Sequence, residues 1–236
     1  MKKFAVFDID GTLVRWQLYH ALVDTLAKND ALDPDAHTLI HQARMRWKNR
    51  EHGYNFQAYE MELIKQFESA VTKLDPKLFD RYVEQVIDEY KDQIYTYTKT
   101  LVGKLKDQGY ILLAISGSHE ELVARIADHY GFDDYIGTRY SKNSTGFTGD
   151  VTVASHNKAE QLNKLVEKHH LSYKESYAVG DSKSDAAMLE LVENPIAFNP
   201  DQNLYKIAQE KHWPIVVERK NVIYKLDYKD GSYLLA

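Results

Sequence analysis

The chain has 236 residues, 44% hydrophobic and 28% charged, with a formal net charge of −5 and no cysteine. That length suits one sizeable domain or a domain with a substantial insertion. The charge balance does not suggest general nucleic-acid binding, which needs a clustered basic surface, and the missing thiols exclude disulfides, thiolate metal sites and cysteine nucleophiles.

Residues 3–8 (KFAVFD) are apolar with few polar breaks and predict a strand buried on both faces, as in a parallel sheet. Asp8 breaks this first apolar stretch too early for a signal-peptide core. No apolar run approaches the roughly 20 residues of a spanning helix, so a cytoplasmic protein without membrane association is expected. The strand stops at the turn dipeptide Asp10-Gly11. Residues 15–97 then form one all-helical block, with helical patterns near 16–28, 35–50 and 56–71. Its clearest segment starts at Asp75-Pro76, an N-cap with proline in the first turn, and carries Leu78, Phe79, Tyr82, Val83, Val86, Ile87 and Tyr90 at helical spacing.

Strand–helix alternation follows. A helix near 98–108 ends at Gly109, and residues 110–116 (YILLAIS) are a second buried strand. A helix over 119–130 is capped by Gly131, and 136–153 form a β-hairpin turning at KNSTG. A helix over 157–170, a third short strand at 177–180, a helix near 184–192 and strand candidates at 196–198 and 215–217 complete the pattern. The tail, 218–236, is polar and tyrosine-rich and receives no role. Such alternation predicts an open α/β fold with a doubly wound parallel sheet, whose active site lies at the carboxyl ends of the strands.

The residues just past those strands are unusual as a set. Past the first come Asp8, Asp10, Gly11 and Thr12; past the second, Ser116, Gly117 and Ser118; at a later helix start, Lys158; past the third, Asp181 and Asp185. Asp8 and Asp10 are two apart, so an extended chain points both to one side. Gathered carboxylates repel by about 1 kcal/mol per pair at ~4 Å even in bulk water, so the cluster needs a cation. Oxygen ligands without histidine or thiolate suit a hard ion such as Mg²⁺. Ser116, the Gly117 backbone, the following helix N-terminus and Lys158 suit a phosphate. A metal with such donors is the equipment of phosphoryl transfer.

In order and spacing these four elements resemble the four sequence motifs of the haloacid dehalogenase superfamily of hydrolases. The likeness covers a Rossmann-like core at 1–14 and 98–236, and the block at 15–97 resembles that superfamily's first type of helical cap domain. The run from Tyr177 to Pro200 (YAVGDSKSDAAMLELVENPIAFNP) is similar to the phosphoserine-phosphatase-like branch. The resemblance implies that Asp8 attacks phosphorus to form an aspartyl-phosphate, and that Asp10 protonates the leaving oxygen and then activates water. It implies that Thr12, Ser116, Gly117 and Lys158 hold the phosphate. Mg²⁺ would bind Asp8, the Asp10 carbonyl and Asp181, with Asp185 supporting through water. Asp10 also argues against dehalogenation, whose leaving halide needs no acid. The sequence departs from phosphoserine phosphatases at Gln17, in the slot of their glutamate, at Met61, in the slot of their arginine after Asn55-Phe56, at Ser118-His119 and at Ser184.

Among smaller features, His119 is expected to be exposed in a first helical turn, Arg44 and Lys48 to form a solvated helix face, and His169-His170 to be a surface pair. Trp16 and Gln17, at the core–cap junction, are candidates for specificity. The expected substrate is a small phosphorylated metabolite, hydrolysed as a monoester. A phosphotransferase or mutase on the same core, and a non-catalytic phosphate-binding module, are the alternatives; the intact set of acids and Lys158 argues against the latter. The sequence gives no indication of oligomeric state.

Overall fold

Strand β1 (Lys2–Phe7) sends Ala5 and Phe7 into one hydrophobic core and Phe4 and Val6 into another. The two-residue period of a strand buried on both faces therefore sets the layers of the molecule. The computed structural model describes residues 2–229 and 231–235. Beside β1 lie β2 (Ile111–His119), β3 (Asp134–Asn143), β4 (Gly146–Thr152), β5 (Leu171–Gly180), β6 (Asn194–Phe198), β7 (Ile215–Arg219), β8 (Val222–Lys229) and β9 (Ser232–Leu235). They make one sheet in the order β4-β3-β2-β1-β5-β6-β7-β8-β9. The run from β3 to β7 is parallel, while β4, β8 and β9 are antiparallel to their neighbours. The architecture is the expected doubly wound α/β sheet.

Four helices follow β1 directly: α1 (Leu18–Lys28), α2 (Ala36–Lys48), α3 (Phe56–Ala70) and α4 (Pro76–Tyr90). Capping starts the later two. Asn55 accepts from Ala58 N–H and Asp75 from Lys77 N–H, each at 2.9 Å, with Pro76 at the start of α4. The predicted α4 stripe is buried at Phe79, Tyr82, Val83, Val86 and Ile87. These helices share a core with α5 (Thr96–Asp107), α6 (Glu120–Tyr130) and one face of the sheet. Helices α7 (Lys158–Lys168), α8 (Ala186–Leu189) and α9 (Gln202–Lys211) cover the other face. The chain enters and leaves the α1–α4 segment through two paired stretches: Arg15 N–H donates to Gln93 O at 2.8 Å and Tyr95 N–H to Leu13 O at 3.0 Å.

Two local expectations change. The helix expected over 184–192 is a 3-10 turn, Lys183–Asp185, followed by the short α8, because the Asp185 carboxylate turns back on the N–H of Ser182 and tightens the turn. The third strand is longer than 177–180. It starts at Leu171 and hides its length in a bulge, where the register moves from Lys3↔Ser172 to Ala5↔Tyr177 and Glu175 takes φ +57°. The tail, which received no role, continues past β7 as the β8–β9 hairpin, apart from Asp230 and Ala236, which lie outside the described residues.

Candidate active site

Strands β1 and β5 end at one edge of the sheet and the chain continues from each into the predicted residues, whereas Ser116, Gly117 and Ser118, expected past the second strand, form the last part of β2 itself. Asp8, Asp181 and Asp185 each bring a carboxylate oxygen within 4.8 Å of the other two, a grouping able to hold a metal ion. Lys158 Nζ lies 2.6 Å from Asp8 Oδ1 and 2.6 Å from Asp185 Oδ1, with all three side chains buried. Thr12 Oγ1 donates to Asp8 Oδ2 at 3.3 Å. Residues that are 177 positions apart along the chain thus meet because the adjacent parallel strands β1 and β5 end at one edge, where α7 also begins.

Asp185 is the buried scaffold of this edge. Its Oδ2 accepts from Asp181 N–H at 3.1 Å, Ser182 N–H at 2.9 Å and the Ser182 hydroxyl at 3.1 Å, while Oδ1 takes Lys158. Close approach is possible because Gly180 has no side chain; a Cβ there would stand 2.4 Å from Asp185 Cβ. Gly11 does the same for Asp181. It holds φ +79°, and a Cβ on it would stand 2.1 Å from Asp181 Oδ2.

Asp10 sits in a separate polar pocket. Its Oδ1 accepts from Leu18 N–H at 2.6 Å, at the start of α1, and its Oδ2 from the Ser116 hydroxyl at 2.5 Å. Ser116 Oγ in turn accepts from Ser118 N–H at 3.0 Å, and Ser118 Oγ from Tyr19 N–H at 3.0 Å. Ser116 therefore serves Asp10 in this structure. Gly117, half-buried, faces Ser155: a Cβ at Gly117 would stand 3.3 Å from Ser155 Cβ and Oγ. Gln17, also half-buried, precedes α1 as its N-cap position without capping it through its side chain.

Burial dominates the electrostatics. It raises Asp8 to about 7, against the pull of Lys158, and the neighbouring charges of Asp185 and Asp10 add to the rise. Burial also lifts Asp181 well above the carboxylate range, with Asp8 and Asp185 contributing. Asp10 is raised by burial against the opposing hydrogen bonds from Ser116, Leu18 N–H and Ser118. For Lys158, burial lowers the ammonium, but Asp185 and Asp8 outweigh it and hold the group above the usual lysine value. The site thus has one firmly charged cation, crowded carboxylates that resist ionising together, and an acid at Asp10 that keeps its proton more readily than usual.

Several smaller expectations are corrected. His119 is not exposed: it closes β2 before α6 begins and is fully buried, stacked on Tyr19 with centroids 4.9 Å apart and edged by Phe67 and Phe79. Burial and the charge of Lys142 lower its pKa to about 3, so it is a neutral packing ring under α1, α3 and α4. Arg44 is not a solvated residue either, because it turns inward to Asp24 at 2.9 Å while Lys48 stays exposed. His169 pairs with Asp134 at 2.5 Å. Sequence reasoning missed Ser118 as an acceptor for Tyr19 N–H and Ser155 as the neighbour of Gly117. The adjacency of Ser118 to Ser116 was the available signal for the former; Ser155 had none.

A family model of haloacid dehalogenase-like hydrolases matches residues 5–190. A histidinol-phosphatase from Neisseria meningitidis serogroup C (strain 8013) is 28% identical over 225 residues, covering 92% of this chain and 99% of that protein. A phosphoserine phosphatase from Methanocaldococcus jannaschii is 25% identical over 201 residues, covering 84% and 85%. The solved structure of a protein of unknown function from Bordetella pertussis Tohama I superposes with a TM-score of 0.73 at 23% identity, covering 91% of this chain and 98% of that one, a likeness of fold. With a family match across most of its length and relatives named as phosphatases, the chain belongs to the haloacid dehalogenase-like hydrolases and is a phosphoric monoester hydrolase.

Proposed function

We propose that the chain hydrolyses a small phosphate monoester with Mg²⁺ bound, through an aspartyl-phosphate formed on Asp8. The observation that carries this reading is the meeting of Asp8, Asp181 and Asp185 within 4.8 Å around the buried ammonium of Lys158. Three crowded carboxylates, with the ionisation of Asp8 and Asp181 opposed by burial and by neighbouring charge, fit a hard cation better than they fit any arrangement without one. Asp8, Asp181 and the Asp10 carbonyl would hold the ion, with Asp185 supporting. When bound, the ion would supply positive charge to the phosphate oxygens.

The chain's own residues do the rest. Asp8 offers an oxygen to phosphorus, with its orientation held by Thr12 and Lys158. Lys158 neutralises charge on the phosphate and links Asp8 to Asp185. Asp10, carrying its proton at a raised pKa, gives it to the leaving oxygen; as the base it then takes one from water attacking the acyl-phosphate. Leu18 N–H and the Ser116 hydroxyl hold Asp10 for that exchange. Helices α1–α4, which cover Asp10 through Tyr19 and Leu18, are read as the cap over the core, and Trp16 and Gln17 as part of the junction that meets the substrate. A cysteine-free chain of this kind fits the cytoplasm.

The substrate reading favours an ester other than phosphoserine. Met61 carries no charge for a carboxylate, and Gln17 carries none for an ammonium. Histidinol phosphate, the ester named by the relative aligned over 92% of this chain, is the first to test. The expected result is phosphate release that requires Mg²⁺ and falls at least about 1,000-fold in Asp8→Asn, since loss of a nucleophile leaves only binding and electrostatic terms. Turnover that survives in Asp8→Asn would sink the mechanism.

A further inference from the structure

Helix α1 begins with backbone N–H groups that have no partner inside the helix. Gln17, at its N-cap position, supplies no side-chain acceptor for them. The core supplies acceptors instead: Leu18 N–H donates to Asp10 Oδ1 at 2.6 Å, and Tyr19 N–H to Ser118 Oγ at 3.0 Å. Ser118 N–H donates to Ser116 Oγ at 3.0 Å, and the Ser116 hydroxyl to Asp10 Oδ2 at 2.5 Å. These four bonds close a ring that runs from Asp10 through the start of α1, across to the end of β2 and back to Asp10. Asp10, Ser116 and Ser118 are all buried, so bulk water cannot take the place of a lost member.

The bonds of the ring differ in what they anchor. Asp10 and Leu18 lie eight positions apart on the single stretch that leads from β1 into α1, so their contact ties that stretch to itself. Tyr19 and Ser118 lie 99 positions apart, and Ser118 belongs to β2, a strand with parallel neighbours on both sides. Through the Ser118 hydroxyl, then, the first turn of α1 is fixed to the sheet. Leu18 N–H, one residue before Tyr19 in that turn, is thereby held where it meets Asp10. Ser118 is also one of the positions at which the sequence departs from phosphoserine phosphatases. None of the roles given to Asp8, Lys158 or the metal uses it.

We propose that Ser118 is a positioning residue for proton transfer by Asp10. Its hydroxyl oxygen pins the start of α1, and the pinned Leu18 N–H keeps the Asp10 carboxyl in the orientation from which it protonates the leaving oxygen. The proposal rests on the phosphatase reading and adds to it a residue that acts on one step. In that step Asp8 forms its bond to phosphorus, the bond from phosphorus to the ester oxygen breaks, and the Asp10 proton passes to that oxygen. Ser118 acts only through α1 and Asp10, so its worth follows how much the leaving oxygen needs a proton. An alkoxide needs one. 4-Nitrophenolate, a stable anion, leaves without it.

The test measures kcat/KM for alkyl esters (histidinol phosphate and glycerol 3-phosphate) and for 4-nitrophenyl phosphate. The proteins are wild type, Asp10→Asn, Ser118→Ala and Ser118→Cys, each checked for folding by thermal unfolding. Asp10→Asn sets the scale, with a loss of about 100-fold or more on an alkyl ester and a far smaller one on the aryl ester. Ser118→Ala should lose roughly 10- to 100-fold on the alkyl ester, the effect of a misplaced catalytic group, and stay within about threefold of wild type on 4-nitrophenyl phosphate. Ser118→Cys should behave like Ser118→Ala, because it keeps the size of serine but offers only a weak sulfur acceptor. Equal losses on both kinds of ester in the Ser118 variants would make the residue a general support of the site and overturn the proposal. Wild-type turnover of the alkyl ester in Ser118→Cys would also overturn it, since size and not the acceptor would then be what matters. If Ser118→Ala does not fold, the same comparison in Ser118→Cys decides alone. Equal loss of both esters in Asp10→Asn would remove the acid role and the proposal with it. A wild type that hydrolyses neither alkyl ester fails the phosphatase reading itself, an outcome distinct from an active enzyme whose Ser118 variants show no dependence on the leaving group.

Discussion

Gly11 shows how one residue can be required for a reason that lies 170 positions away. Its φ of +79° is open to glycine, and the space where a Cβ would stand is occupied by Asp181 Oδ2 at 2.1 Å. Gly11→Ala therefore strains the turn after Asp8 and pushes the Asp181 carboxylate out of the acidic cluster. The backbone strain alone costs about 1 kcal/mol. Displacing a ligand's support typically weakens metal binding roughly 10- to 100-fold. The expected outcome is a folded protein whose Mg²⁺ requirement rises by that factor, read from phosphate release against Mg²⁺ concentration. An unchanged requirement would mean that Asp181 stands off the metal. The Asp-Gly turn itself was legible in the sequence, because the dipeptide reports local geometry. The partner that forbids a side chain was not legible, because it depends on β5 lying beside β1. His119 marks the same limit. Its place after Ser118 suggested a helix start, and only the packing of α1, α3 and α4 over β2 makes it a buried ring.

At the scale of elements, the two stretches joining α1–α4 to the sheet are tied by one carboxylate. Glu218, at the end of β7 with its side chain 1% exposed, accepts Arg15 Nη2 at 2.7 Å on the entering stretch. It also accepts Thr96 N–H at 3.1 Å and Tyr97 N–H at 2.8 Å, at the first turn of α5 beyond the leaving stretch. An anion at a helix N-terminus is favoured by the free N–H groups and the dipole there. Glu218→Ala leaves two N–H groups and a guanidinium without their acceptor. A loss of about 2–3 kcal/mol is expected, or roughly 4–12 °C in Tm for a chain of this size. Thermal unfolding of the variant checks it, and a change under about 0.5 kcal/mol would show the clamp to be incidental. Strand periodicity made the 215–217 segment legible. Nothing local announced that its last carboxylate would reach across to residues 15 and 96, nor that the polar tail would pair as β8 and β9. Alternation in those strands is blurred because much of their side-chain surface stays exposed.

At the scale of the whole molecule, the parallel sheet concentrates like charges at its edge, and this cost is carried by the fold until a cation arrives. Asp8 has a folded pKa of about 7 against an ordinary 3.8, and Asp181 and Asp10 are shifted in the same direction. Between pH 4 and 7 the folded state therefore holds more protons than the unfolded chain. Stability must then fall as pH rises through that window, opposite to the trend from a salt-bridged carboxylate with a depressed pKa. A metal that binds the ionised carboxylates competes with those protons, so its stabilising effect grows over the same interval. In chelator, Tm should decline from pH 5 to pH 8. Mg²⁺ at about 100 times its dissociation constant should restore roughly 2.7 kcal/mol at pH 8, or about 5–11 °C, and much less at pH 5. Asp8→Asn removes the carboxyl whose pKa burial raises to about 7 and should flatten the metal-free decline while leaving Lys158 paired to Asp185. Equal Mg²⁺ effects at both pH values would place the ion on groups ionised throughout, away from Asp8 and Asp181. A metal-free decline that persists unchanged in Asp8→Asn would assign the titration to another part of the fold.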